Sequence, residues 1–324
     1  MKKPIHILIL VALVIIIIAG YLAYTWNNPN SGKWERRINA ALEPSTCPEV
    51  KQVALPASYY QGPLIDTHLH IPPLDDDFFG DIDVFEDRPR GVDSDLYDTV
   101  AAKDNPLLGR TVTIDEIACA LQQEGTSKAF AFFPVFPDIA VPMVETADRI
   151  MSRYPDLFLP FIQASGNEIA TVEGDVLQQL LDLKPNLFAG FGETGDSPTE
   201  PINPPPDSPI YTGNWQVVQD NDLLVYFHPS PDHHLQLDRT LKAFPNVTFI
   251  VHGDFVRPHI DQLLASNPNL YFTANDIFDE ATPLFRFGDK EVFMQTMEQD
   301  WDMLLAQAVR DYKQLIEKYP DRFM

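Results

Sequence analysis

The sequence predicts an α/β fold in which a parallel sheet closes into a (β/α)8 barrel of the TIM type. Short apolar runs alternate with amphipathic helical patterns from Leu64 onward, and this alternation is typical of repeated βα units. Most of the runs are continuously apolar, as expected of strands that are buried on both faces. No Gly-rich phosphate fingerprint follows the first run, so a dinucleotide-binding sheet is the weaker α/β alternative.

Seven strands and five helices can be assigned from these patterns. The predicted strands cover 63–68, 127–135, 157–165, 187–193, 223–228, 247–252 and 269–274. The predicted helices cover 113–125, 144–155, 174–185, 231–245 and 302–320. Thr113 and Glu116 have the spacing of a capping box, which indicates that the first helix begins there.

Two connections are too long to be turns, and both follow predicted strand ends. Residues 71–110 are rich in Asp and residues 196–214 are rich in Pro. Long ordered loops on this side of a barrel are usually functional, so both are predicted to form walls or lids of a pocket. Five aromatic side chains could line this pocket, although burial in the core is the favoured interpretation for them: Phe78, Phe79, Phe133, Phe136 and Tyr211.

The charge balance and the cysteine count exclude two classes of protein. The formal net charge is −24, which argues against nucleic acid as a partner because binding to phosphates depends on Lys and Arg. The two cysteines, Cys47 and Cys119, are too few for a disulfide scaffold and lack the spacing of a structural zinc site. Two free thiols are expected, and a single disulfide between them is the alternative.

The N-terminus contains a candidate membrane helix. Residues 7–24 form a run of eighteen residues without a charge, preceded by Lys2 and Lys3, which predicts a single-pass anchor with a cytoplasmic N-terminus. The barrel would then be extracytoplasmic, and a cleaved signal peptide is the alternative. The predicted domains are an anchor at 1–26, a stalk or linker at 27–62 and the barrel at 63–324.

Five potential metal ligands lie at the ends of predicted strands. They are His68, His70, Glu193, His228 and His252. The carboxyl ends of parallel strands meet at one rim of a barrel, and residues two apart on a strand project to the same side. Imidazole and carboxylate donors suit a divalent metal, for which zinc is expected, with manganese, iron or nickel as alternatives. Such an ion activates water for attack on a substrate.

The strand-end motifs DTHLH, GFGETG, FHPS and VHGD, taken in this order, resemble the amidohydrolase superfamily. The resemblance is strongest to its amidohydrolase-related branch, which also contains metal-dependent decarboxylases, and it covers nearly all of the predicted barrel. It implies that His68, His70 and His228 bind metal. It also implies that His252 is a further ligand or polarises the substrate carbonyl as a catalytic residue, and that a bridging Glu193 would permit two metals.

The resemblance implies a metal-dependent hydrolase that attacks a C=O or P=O bond of a small-molecule substrate. A decarboxylase with the same metal site and a catalytically inactive, membrane-tethered domain are the alternatives. The family carries a catalytic aspartate at the end of strand eight, whereas this sequence stops at YPDRFM. Phe323 and Met324 are where that strand would begin, so strand eight is expected to be missing and the chain is expected to be a fragment. The substrate and the oligomeric state are not indicated.

Overall fold

Seven parallel strands form one sheet in the order β1 to β7, so each strand pairs with its neighbours in sequence. The computed structural model describes residues 35, 38–39, 41–47, 60, 62–71, 113–165, 171–195, 204–252, 254–273 and 290–324. The strands are β1 (Leu64–His70), β2 (Thr126–Pro134), β3 (Phe158–Gln163), β4 (Gly190–Gly195), β5 (Leu224–His228), β6 (Phe249–His252) and β7 (Leu270–Thr273).

Helices follow the strands in βα alternation, and the sheet curls into a half-barrel. The helices are α1 (Ile114–Glu124), α2 (Ala140–Arg153), α3 (Gly174–Asp182), α4 (Pro209–Asp220), α5 (His234–Ala243), α6 (Ile260–Ser266) and α7 (Lys290–Lys318). Short 3-10 helices at Pro137–Ile139, Pro231–His233 and Asp254–His259 precede α2, α5 and α6. The predicted α/β class and all seven predicted strands are therefore confirmed within these residues.

The strands have two buried faces because alternate side chains point to opposite sides of the sheet. On β2, Ala129, Ala131 and Phe133 belong to the larger core cluster, which also contains side chains of the helices. Phe130 and Phe132 belong instead to a smaller cluster with side chains of β3, β5 and β6. This second cluster fills the concave side of the sheet, which explains why the strand sequences are apolar throughout.

The ends of the helices show which local signals were reliable. The Thr113 and Glu116 capping box is confirmed, because the Glu116 amide donates to Thr113 Oγ1 at 3.4 Å and the Thr113 amide donates to Glu116 Oε2 at 3.0 Å. The prediction that 209–214 is loop is wrong, since α4 begins at Pro209. Proline suits the first turn of a helix because its fixed φ is helical and its missing amide is not needed there.

The two cysteines are joined in a disulfide, so the prediction of two free thiols is wrong. The Cα atoms of Cys47 and Cys119 are 5.6 Å apart, within the usual range for a disulfide. The two residues are separated by 72 positions, and only the fold brings them together. Sequence spacing therefore gave no indication of the pair.

Residues before the barrel pack against the outer helices α1 and α2. Ile38 is buried and Leu42 packs against the main core. On α2, Arg149 donates to Asn39 Oδ1 at 3.1 Å, and Arg153 donates to the carbonyl oxygen of Leu42 at 2.6 Å. Part of the region predicted to be a stalk is therefore fixed to the barrel by side-chain contacts and by the disulfide.

Removing the disulfide is expected to lower the free energy of unfolding by about 2–4 kcal/mol, because the crosslink restricts a long loop of the unfolded chain. Urea denaturation of the double variant Cys47→Ala/Cys119→Ala, compared with the oxidised protein, measures this difference. Adding a reductant should destabilise the oxidised protein similarly and leave the variant unaffected. Equal stability of both proteins before reduction would contradict the expectation.

The last residues of the chain lie beside β7. The Phe272 amide donates to the Arg322 carbonyl at 2.9 Å, and the Met324 amide donates to the Phe272 carbonyl at 2.9 Å. Phe272 and Phe323 form a parallel bridge, and their rings are 5.4 Å apart. Residues 322–324 thus occupy the position next to β7 at which the sequence predicts that an eighth strand begins.

Several predictions concern parts of the chain that lie outside the described residues. They include the membrane helix at 7–24 and the loop at 71–110, apart from Ile71. Among the residues that the structure does describe, none belongs to a helix with the length and apolar character needed to cross a bilayer. The membrane anchor therefore stays a prediction.

Candidate metal centre

Strands β1 and β4 bring three of the predicted ligands together. His68 and His70 are two residues apart on β1, so both project from the same face of the strand. Glu193 lies on β4, far from the histidines along the chain, and the curl of the sheet closes the distance. Among the described residues, these three form a group whose potential ligand atoms all lie within 4.8 Å of one another.

The three ligand atoms form a nearly equilateral triangle. His68 Nε2 lies 3.1 Å from His70 Nε2 and 3.2 Å from Glu193 Oε2. His70 Nε2 lies 3.1 Å from the same carboxylate oxygen. Two imidazole nitrogens and one carboxylate oxygen thus point at a common centre, which is the arrangement of one face of a metal coordination shell.

The size of this triangle fits a small divalent cation. Metal–ligand bonds of about 2.1 Å place neighbouring donor atoms about 3.0 Å apart in an octahedron and about 3.4 Å apart in a tetrahedron. The observed separations of 3.1–3.2 Å fall between these values. The three side chains would therefore hold a small divalent cation, which would supply Lewis-acid chemistry at this rim of the sheet.

The three side chains differ in their exposure to solvent. The exposed fraction is 16% for Glu193, 28% for His68 and 47% for His70. Glu193 is therefore the inner member, and its carboxylate is partly shielded from water. His70 lies on the solvent side, so a small molecule can reach the triangle from there.

Aromatic rings enclose the inner side of the site. The His68 imidazole is stacked on the Tyr226 ring, with centroids 5.6 Å apart and an interplanar angle of 24°. Phe132 makes an edge contact with His68 at 5.5 Å and a tilted contact with His70 at 5.3 Å. Tyr226 and Phe132 are both fully buried, so they form an apolar floor under the ligands.

Burial raises the pKa of the Tyr226 hydroxyl above its ordinary value. The hydrogen bond with Thr273 opposes this shift, and the negative charges of Glu193 and Asp66 add to it. The hydroxyl therefore stays protonated at neutral pH and can donate a hydrogen bond.

Glycines allow β4 to approach β5 closely behind the site. Gly192 has a φ of +129°, and a Cβ built there would lie 2.2 Å from the carbonyl oxygen of Tyr226. A Cβ at Gly195 would lie 2.2 Å from the carbonyl oxygen of His228. The GFGETG motif thus needs glycine at these two positions for a steric reason, and the close approach fixes the backbone on either side of Glu193.

The structure places the other two predicted ligands at strand ends. His228 is the last residue of β5, pairs with Gly195 of β4 and is partly exposed. It does not belong to the three-residue group. His252 is the last residue of β6 and pairs with Thr273 of β7, while the position of its side chain lies outside the described set. The metal-binding roles of His228 and His252 stay predictions.

Two of the aromatic residues considered for the pocket lie in the core, which is the interpretation that the sequence favours. Phe133 and Tyr211 are fully buried in the main core cluster, away from the concave face. Phe136 packs against that cluster, and Phe78 and Phe79 are outside the described residues. The rings at the site, Phe132 and Tyr226, were missed, although each belongs to the alternating set of its strand that faces the barrel interior.

The chain combines a curled parallel sheet with a group of potential metal ligands at its rim. Neither a protein-family model nor a curated protein matches it. Solved structures similar to it include a probable 2-pyrone-4,6-dicarboxylic acid hydrolase from Acinetobacter baumannii with citric acid bound. The identity is 13%, the match covers 80% of this chain and 81% of the other, and the TM-score is 0.46.

Two decarboxylases are also among the similar structures. A dihydroxybenzoic acid decarboxylase from Polaromonas sp. JS666, with bound manganese and the inhibitor 2-nitroresorcinol, is 14% identical over 71% of this chain and 83% of the other, with a TM-score of 0.42. A 2,6-dihydroxybenzoate decarboxylase from Rhizobium is 15% identical over 71% and 85%, with a TM-score of 0.38.

These neighbours are members of the amidohydrolase superfamily, which is the superfamily that the strand-end motifs of this chain resemble. They include both hydrolases and decarboxylases. With TM-scores of 0.46 and lower, none of these structures bears on the chemistry of this chain.

Proposed function

We propose that this chain is a metal-dependent hydrolase of the amidohydrolase kind, which binds a divalent cation through His68, His70 and Glu193. The observation that carries the proposal is the triangle of two imidazole nitrogens and one carboxylate oxygen with edges of 3.1–3.2 Å. Two imidazoles and one carboxylate are a common ligand set for a divalent cation. They meet at the end of a parallel sheet, where barrel enzymes place their active sites.

The proposed roles follow from the position of each side chain. Glu193, the least exposed of the three, supplies the negative charge that balances part of the charge of the cation. His68 and His70 supply neutral nitrogen donors, and the exposed side of His70 admits the substrate. A divalent ion bound there polarises a C=O or P=O group and lowers the pKa of water. In this proposal His252 polarises the substrate carbonyl and handles protons.

Zinc is the proposed metal, with manganese, iron and nickel as the alternatives that the same donors accept. Three donor atoms within 3.1–3.2 Å of one another suit one ion. A second ion would draw on Glu193 together with His228 or His252 as additional ligands. Elemental analysis counts the ions directly.

The proposed substrate is a small molecule, and its reaction is identified by product analysis. Incorporation of oxygen from labelled water into the product would support hydrolysis. Release of CO2 without such incorporation would instead establish the decarboxylase alternative with the same metal site. Absence of metal and of turnover in the purified chain would establish the catalytically inactive alternative.

The proposed location is the extracytoplasmic side of a membrane, with residues 7–24 as a single-pass anchor. The disulfide between Cys47 and Cys119 supports this part of the proposal, because disulfides persist mainly in oxidising compartments. Membrane fractionation of cells that produce the full chain, followed by protease treatment of intact cells, tests both the anchor and its orientation.

Glu193→Gln is expected to lower metal affinity by more than about 100-fold, since the loss of a charged ligand should exceed the 10–100-fold effect of outer-shell changes. The variant keeps the size of the side chain but removes its negative charge. Elemental analysis after dialysis against a weak chelator measures the effect. The matched control is Glu124→Gln, at an exposed residue at the end of α1. Full metal content in both variants would refute the role of Glu193.

A further inference from the structure

We infer that Tyr226 is a positioning residue that holds the His68 imidazole in the orientation needed for metal binding. The two rings are stacked at 5.6 Å with an angle of 24°, so the phenol ring supports one face of the imidazole. The metal-binding consequence rests on the proposed function, whereas the orientation of His68 in the metal-free protein does not.

Tyr226 is itself held on several sides. Its side chain is fully buried, and its backbone pairs with Ile250 of β6. Phe132 makes an edge contact with its ring at 4.8 Å, and Phe161 makes another at 6.3 Å. A ring that is packed in this way cannot move when the His68 imidazole rotates, so it provides a fixed surface for that imidazole.

The hydroxyl group of Tyr226 contacts a residue of β7, which lies beyond β6 in the sheet. It lies 3.1 Å from Thr273 Oγ1, and Thr273 Oγ1 donates to the Val251 carbonyl at 3.3 Å. Tyr226 therefore connects β7, through Thr273, to the ligand His68 on β1.

His68 needs such support because its ring must present Nε2 to the cation. Stacking on Tyr226 fixes the plane of the imidazole, and the edge contact with Phe132 at 5.5 Å limits its rotation within the site. Groups that orient ligands commonly change metal affinity by about 10–100-fold when they are mutated. The Tyr226 ring would orient the His68 imidazole through packing.

The test compares Tyr226→Leu with Tyr226→Phe in the full chain, using two measurements. The first is the proton resonance of the His68 ring in the metal-free protein, assigned with a His68→Gln variant. The ring current of Tyr226 should shift it upfield, Tyr226→Phe should keep that shift, and Tyr226→Leu should lose it. The second is cobalt affinity, which should fall by about 10–100-fold in Tyr226→Leu and be restored in Tyr226→Phe.

Two further variants separate positioning from a general loss of packing. Phe158→Leu removes a buried aromatic ring from β3 in the main core cluster, and it should change neither measurement. Tyr226→Met fills much of the cavity with a flexible side chain that has no aromatic ring, and it replaces Tyr226→Leu if that variant does not fold.

The inference is overturned if the ring-free variants keep the His68 resonance and the cobalt affinity of the wild-type protein. It is also overturned if Phe158→Leu has effects as large as those of Tyr226→Leu. If the wild-type protein binds no cobalt but the resonance moves as expected, the proposed metal function fails and the positioning of His68 by Tyr226 stands.

Discussion

Replacement of His68 by alanine is expected to abolish stoichiometric metal binding. His68 Nε2 is 3.1 Å from His70 Nε2 and 3.2 Å from Glu193 Oε2, so its removal leaves only two members of the triangle. Loss of a direct ligand should cost more than the roughly 10–100-fold change in affinity caused by loss of an orienting group. Elemental analysis of the purified variant, together with competition against a chromogenic chelator, measures the loss.

The control for this prediction is His259→Ala, which makes the same chemical change outside the triangle. The His259 ring stacks on His234 with centroids 3.5 Å apart, and metal content should be unchanged in the variant. Full metal occupancy in His68→Ala would disprove the proposed centre. Loss of metal from both variants would point to a nonspecific effect of removing a histidine.

Gly192→Ala is expected to destabilise the protein by about 3–5 kcal/mol, through backbone strain and steric overlap. The glycine has a φ of +129°, and an added Cβ would lie 2.2 Å from the carbonyl oxygen of Tyr226. Because that oxygen belongs to the backbone of β5, a side-chain rotation cannot relieve the contact. The strand must shift, which would displace Glu193 and lower the metal affinity as well.

Gly213→Ala provides a matched control in the same protein. Gly213 lies within α4, and the nearest atom to its added Cβ is 3.8 Å away, an ordinary van der Waals distance. Alanine favours helix over glycine by about 1 kcal/mol, so this variant should be as stable as the wild-type protein or slightly more stable. Urea denaturation of both variants measures the contrast. Similar stability of the two variants would disprove the steric explanation.

The sequence predicted the sheet well because each strand is a short apolar run that is buried on both faces. It also predicted that His68, His70 and Glu193 come together, since the ends of parallel strands converge on one rim. Such reasoning identifies the end of the sheet at which these side chains lie, but it does not give the distances between them. Which of the five predicted ligands come within 3.2 Å of one another depends on the curl of the sheet, which no local pattern specifies.

The sequence-based predictions failed where the role of a residue depends on a contact with residues that are distant in sequence. The disulfide between Cys47 and Cys119 needs the packing of the N-terminal residues on α1 and α2. Tyr226 and Phe227 look alike in a continuous apolar strand, yet Tyr226 stacks on His68 and Phe227 belongs to the main core. A signal was present, because Tyr226 is two residues before His228 and therefore lies on the same face of β5.

The disulfide also changes the covalent topology of the chain around the candidate metal centre. Cys47 and Cys119 are separated by 72 positions, and β1, with His68 and His70, lies between them. The strand that supplies both histidines is therefore part of a closed ring of covalent bonds. A single proteolytic cut anywhere in that ring would leave the two pieces attached, and they would separate only after reduction.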